Sequence, residues 1–136
     1  MPDRYSETFP SEPATVRQAR RAVHKFASAW LDGVDATDFE SAIGECLANV
    51  VEHGGGSFVK IDCYVAEGRL IAEIEGDGKG FLPKEVVPPP LGSARGYGLF
   101  LMHTLLDGIE FVGDGHKVRL LMQLPKKNPR PRNRED

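Results

Sequence analysis

Two runs of alternating apolar residues stand close together, with Glu67-Gly68 as the tight connection between them. In Ser57–Val65 the apolar positions are Val59, Ile61, Cys63 and Val65. In Arg69–Glu75 one face carries Leu70, Ala72 and Ile74, and the other carries Ile71, Glu73 and Glu75. A period of two means strands, and so short a connection makes the pair a hairpin. The chain must therefore contain an antiparallel pair with an apolar face, and something apolar has to cover that face.

Helices upstream supply the cover. Val16, Ala19, Val23, Phe26, Ala27 and Trp30 repeat at helical spacing to about Leu31. Ser11-Glu12-Pro13 reads as the start, with Ser11 as cap and Pro13 in the first turn, and Gly33 as the stop. Thr37-Asp38-Phe39-Glu40 fits a capping box that opens a second helix. That helix runs to His53, with Gly54 as its C-cap. Arg4–Pro10 reads as a short edge strand.

Downstream, Leu82–Gly96 contains Pro88-Pro89-Pro90 and reads as a loop, because no regular element survives that run. Gly98–Leu106 returns to helical spacing through Leu99, Met102, Leu105 and Leu106. Ile109–Val112 and Lys117–Leu124 read as a final hairpin around Gly113-Asp114-Gly115. The layout predicts an α+β fold: a two-layer α/β sandwich, its sheet mixed but mainly antiparallel, with the helices on one face.

A length of 136 residues with 40% hydrophobic and 27% charged side chains fits a single domain, expected over residues 1–125. The net charge of −3 gives no reason to expect a nucleic-acid partner. Charge is uneven, however. Residues 126–136 hold five basic side chains against two acidic ones, a tail of +3 that leaves −6 for the rest, and they read as a disordered basic tail. The two cysteines, Cys46 and Cys63, lie within apolar patterns and form no CxxC spacing, so they read as buried thiols. Apolar runs are far shorter than the roughly 18 residues a membrane span needs, so a cytoplasmic protein with no membrane partner is expected.

The hairpin ends in Gly76-Asp77-Gly78-Lys79-Gly80-Phe81. A calcium loop does not fit, because Lys79 occupies a ligand position. His53-Gly54-Gly55-Gly56 would suit a hydrolase oxyanion hole, but no Gly-x-Ser-x-Gly elbow accompanies it. Gly96-Tyr97-Gly98 lacks the third glycine of a dinucleotide fingerprint. It does open a helix, whose free N–H groups suit an anion, and Arg95 could reach the same phosphate. On the second helix Glu45, Asn49 and His53 recur every four residues as a polar stripe opposite Phe39, Ile43, Cys46, Leu47 and Val50. Taken by itself the stripe suits a solvated face. It also suits a carboxylate and an amide that together orient a hydroxyl and a Mg²⁺ ion.

In order, Glu45-x-x-x-Asn49, Gly78-x-Gly80-Phe81 and Gly96-x-Gly98-Leu99 together resemble the GHKL ATPases, which share the Bergerat fold with histidine kinases and gyrases. Within that group the chain is similar to the small anti-sigma factor serine kinases, the RsbW-like family. ECLANVVEHG (Glu45–Gly54) resembles their helix motif, including its His, and RGYGLFLMHTLLD (Arg95–Asp107) their second glycine box. The short span between the boxes resembles an abbreviated lid, and the likeness extends over about residues 4–125. The resemblance implies an ATP site with Mg²⁺ on Asn49 and Glu45 activating the attacking hydroxyl. Gly80 would lie against adenine, with Gly96, Gly98 and Leu99 in the phosphate box. It implies a protein that sequesters a sigma factor and phosphorylates a serine or threonine on a small STAS-type antagonist. It also implies homodimers.

One departure stands out. The family's first box reads Asp-x-Gly-x-Gly, and its Asp accepts a hydrogen bond from the adenine amino group. Aligning Gly78 and Gly80 puts Gly76 at that position and the acid, Asp77, one place late. Strand alternation places position 76 with Leu70, Ala72 and Ile74, and Asp77 with Glu73 and Glu75 on the opposite face. Gly76 and Gly78 permit backbone angles that would swing Asp77 inward. Two readings follow: a kinase, its ATP binding weakened unless Asp77 serves the base, or a protein-binding regulator that lacks the adenine-reading acid.

Overall fold

The computed structural model describes residues 3–53, 55–78, 105–112 and 117–124. Within them the order is β1 (Arg4–Pro10), α1 (Pro13–Ala27), α2 (Gly33–His53), β2 (Phe58–Ala66), β3 (Arg69–Gly76), β4 (Gly108–Val112) and β5 (Lys117–Gln123). The sheet runs β1-β2-β3-β5-β4. Every strand pair among the described residues is antiparallel, so the α+β layout holds without the parallel pairing a mixed sheet would need.

The central hairpin forms as its sequence demands. Glu67 (φ 54°) and Gly68 (φ 72°) both take the left-handed region, the combination whose twist matches a two-residue hairpin. Ala66 then pairs with Arg69, Cys63 with Ala72, Ile61 with Ile74 and Val59 with Gly76. β1 adds to the outer side of β2 as the edge strand expected there.

Helix boundaries differ from the expectation. Glu12, not Ser11, precedes α1, with Pro13 in the first turn, and its side chain makes no capping bond. Ser11 instead donates its N–H to Ser57 O across to β2 (3.0 Å). α1 ends at Ala27, and residues 28–31 leave it in a tight turn in which Trp30 and Leu31 both bond Ala27 O. α2 starts at Gly33, four residues before the expected box. Asp32 caps it, its Oδ1 accepting the Asp35 N–H at 2.8 Å, the geometry of an N-cap on the third helical residue. Thr37 lies inside the helix, its hydroxyl returned to Gly33 O at 2.9 Å. Gly33 is thus a starter rather than a stopper.

The core lies between the helices and one sheet face. Val23 from α1, Phe39, Ile43 and Leu47 from α2, and Ile61, Leu70, Ile74, Leu120 and Met122 from the sheet are fully buried. Each large side chain so buried contributes about 1.5–3 kcal/mol. Cys46 and Cys63 are free, buried thiols, pushed up to about 12 by burial, which leaves them inert.

The other sheet face is charged. Glu73 accepts Tyr64 Oη (2.7 Å) and Arg119 Nε (2.9 Å), and Arg119 also donates to Glu110 (2.8 Å). The register places Asp62, Glu73, Arg119 and Glu110 in one row across four strands. Burial pushes the Glu73 carboxyl up, but the Tyr64 hydroxyl, Arg119 and Lys117 outweigh it and hold the group below its usual range.

Candidate functional site

α2 presents two chemistries. Gly44, Cys46 and Leu47 point into the protein, while Glu45 and Asn49 are half-buried on the stripe between them. An i, i+4 pair lies within about 5–6 Å on one helix face, so a carboxylate and an amide can serve one ligand. His53 is the last residue of α2. No cluster of three His, Cys, Asp or Glu exists among the described residues. A Mg²⁺ ion held by an amide oxygen needs none, because it keeps several waters and takes phosphate oxygens. The half-exposed Asn49 fits that kind of ligand.

β3 brings its glycine end against the same helix. A Cβ built on Gly76 would lie 3.2 Å from Val50 Cγ1 and 3.7 Å from Phe58 O. Position 76 therefore faces α2 one residue beyond Asn49, on the side strand alternation predicts. Asp77 is exposed, and its Oδ1 accepts the N–H groups of Ser57 (2.7 Å) and Phe58 (3.0 Å) at the start of β2. Those two donors, Phe58 first, hold its carboxyl below the usual range. Gly78 is half-buried beside Gly56. The structure thus sets Gly76 against Val50, the residue after Asn49 on α2, with Asp77 tied to β2.

Gly80, Arg95, Gly96, Gly98 and Leu99 lie outside the described residues, as do the Gly54 cap, the proline loop and the tail. Of the expected third helix Gly98–Leu106, two residues are described: Leu105 is helical and Leu106 lies in a bend just past it.

Two features escaped the motif reading. Gly56 has no room for a side chain: a Cβ would stand 2.2 Å from Asp77 Oδ1 and 2.5 Å from Gly78 N. The run Gly54-Gly55-Gly56 signalled a special backbone but not its partner. The second is a basic groove along α1, lined by Arg17, Arg20, Arg21, His24 and Lys25 with Glu40 from α2. Arg20 Nε lies 3.2 Å and His24 Nδ1 3.0 Å from Glu40. Arg20 rests on Gly44, where a Cβ would come within 2.7 Å of its Cδ. The groove was legible as the i, i+3, i+4 recurrence of Arg17, Arg20, Arg21 and His24.

Among the described residues, two helices over one face of a five-stranded antiparallel sheet, with a strand ending in glycine against the last turn of α2, define a two-layer α+β sandwich. Residues 9–122 match the Histidine kinase-like ATPase domain, and the chain belongs to that family. It is 29% identical over 112 residues to the Anti-sigma F factor of Clostridium botulinum strain Alaska E43 / Type E3, covering 74% of this chain and 78% of that protein. The same identity and coverage hold for the Anti-sigma F factor of C. botulinum strain Eklund 17B / Type B. Among solved structures, Acinetobacter baumannii histidine kinase AdeS superposes with a TM-score of 0.52 at 19% identity, over 89% of this chain and 68% of that one. That likeness speaks for the fold. No helix among the described residues is long and apolar enough to cross a membrane.

Proposed function

We propose that this protein is an anti-sigma regulator that binds ATP with Mg²⁺, holds a sigma factor inactive and phosphorylates a serine or threonine on an antagonist protein. The observation that carries the reading is the half-exposed Glu45/Asn49 pair on α2, with Gly76 set against the adjoining Val50. The similarity to two anti-sigma F factors supports the regulatory half.

In phosphoryl transfer the protein's work is positioning and charge neutralisation. Asn49 would hold the metal, which when bound neutralises phosphate charge. Glu45, one turn away, would accept the proton of the attacking hydroxyl. Arg95, Gly96, Gly98 and Leu99 would cradle the phosphates, and His53, Gly78 and Gly80 would border the nucleotide. The α1 groove, with Arg17, Arg21 and Lys25, offers positive charge to an acidic segment of a protein partner. Pairing of two copies, implied by the resemblance, belongs to the same proposal.

Gly76 favours a second reading, a regulator of the same fold that grips its partner with little nucleotide turnover. Incubation with Mg²⁺–ATP and the antagonist, followed by intact-mass measurement, separates the two. The kinase reading expects a phosphate on the antagonist, lost in Glu45→Ala while ATP affinity stays within a few-fold of wild type. Absence of ATP binding at millimolar concentration would sink the kinase reading, and a fully active Glu45→Ala would remove Glu45 from it.

A further inference from the structure

The Val59–Gly76 rung is the last of the β2–β3 ladder, and Asp77 stands just beyond it. There the carboxylate does what a further backbone rung would do. Its Oδ1 takes the N–H groups of both Ser57 and Phe58, at 2.7 and 3.0 Å. Residues 55–57 are shaped around it. Gly55 turns at φ +73°, and Gly56 can bear no side chain against Asp77 Oδ1 and Gly78 N. Ser57 O accepts the Ser11 N–H at 3.0 Å, so the β1–α1 connection meets the same point. This loop is the one that leaves α2 four residues after Asn49.

We infer that Asp77 is a positioning residue: its carboxylate clasps the end of β3 to the loop leaving α2 and so sets the spacing between Asn49, Val50 and Gly76. It reads no base. A charge-assisted pair of N–H bonds is stronger than a neutral rung, so the junction is stiff where an ordinary hairpin end frays. The functional half of this inference rests on the nucleotide reading above; the structural half does not.

Amide hydrogen exchange and Mg²⁺–ATP titration of Asp77→Ala, Asp77→Asn and Gly56→Ala test it. In wild type the Ser57 and Phe58 amides should be slow. They should exchange roughly tenfold or more faster in Asp77→Ala, where a charged acceptor is lost, and in Gly56→Ala. Asp77→Asn keeps an Oδ1 acceptor but not its charge, so its exchange and affinity should fall between wild type and Asp77→Ala. ATP affinity should fall several-fold in each of the other two, and the double variant should be no weaker than the weaker single one. Unchanged exchange in Asp77→Ala overturns the clasp. Loss of affinity in Asp77→Asn with its amides still protected overturns the positioning role. If wild type binds no ATP the nucleotide reading fails, and the exchange rates still decide the clasp.

Discussion

Gly76→Asp tests whether the nucleotide base lies at the end of β3. The new Cβ would meet Val50 Cγ1 at 3.2 Å, a few tenths of an ångström inside ordinary contact, and Phe58 O at a comfortable 3.7 Å. Val50 is half-buried and lies in the last turn of α2, so its methyl can yield. An off-rotamer turn of that size costs about 0.5–1.5 kcal/mol. The cost falls on free and nucleotide-bound protein alike. It lowers folding stability and cancels from the binding equilibrium. What remains in binding is a carboxylate accepting from the base's amino group, about 1.5–3 kcal/mol. That corresponds to roughly 10- to 150-fold in affinity.

The expected outcome is therefore a split. Calorimetric titration should show at least tenfold tighter Mg²⁺–ATP binding in the variant. Urea unfolding should show a stability about 1 kcal/mol lower. GTP supplies the control, because guanine presents a carbonyl oxygen where adenine has its amino group, and a carboxylate repels it. Equal ATP affinity in the two proteins, or an equal gain for GTP, would refute the placement of the base at position 76.

In Gly44→Ala the new Cβ first strikes the flexible Arg20 side chain, at 2.7 Å from Cδ and 2.8 Å from Nε. The helix gains up to about 1 kcal/mol from the exchange and loses about 0.2–1 kcal/mol with the Arg20–Glu40 pair. Urea unfolding should thus find stability unchanged or slightly raised, and a loss above about 1 kcal/mol would refute the seat of Arg20 on Gly44. Glu73→Ala strips Tyr64, Arg119 and Lys117 of their shared acceptor, whose side chain is only 13% exposed, and should cost about 1–2 kcal/mol at neutral pH. Glu73 and Asp77 both titrate below their usual range, so the unfolded chain binds more protons in acid. Their stabilisation is complete at neutral pH and is lost as pH falls below about 5. Glu73→Ala should therefore lose less stability than wild type between pH 7 and pH 4, and an equal loss would contradict the coupling.

The β2–β3 hairpin was legible because alternation, turn length and glycine all pointed one way. The entry to α2 was not, because two local signals compete there. Asp32-x-x-Asp35 and Thr37-x-x-Glu40 each look like a cap, and the one in use is the earlier, bonded from Asp32 Oδ1 to the Asp35 N–H. Nor does periodicity state which strand of the last hairpin joins the sheet. β5 docks on β3, burying Val118, Leu120 and Met122 against the helices, while β4, with its described side chains half-buried or exposed, takes the edge. The apolar weight of β5 could have decided that order in advance. The basic groove carried a helical recurrence that reads as charge, but its seat on Gly44 needs the crossing of two helices.

At residue 76 strand alternation decides the facing, and at residue 77 it is met by an exposed side chain but does not name its partners. Strand alternation holds where a residue is locked into a ladder. Gly76 is so locked, to Val59, and faces α2 as its parity requires. Asp77 follows the last rung, and its side chain turns toward whatever donors it meets. Here it meets two backbone N–H groups some twenty residues upstream in sequence, brought into reach by a loop whose Gly56 leaves it space. No local pattern encodes that meeting. The acid beside the family's expected position is thus accounted for by the backbone it holds, and position 76 is left without a side chain to read a base.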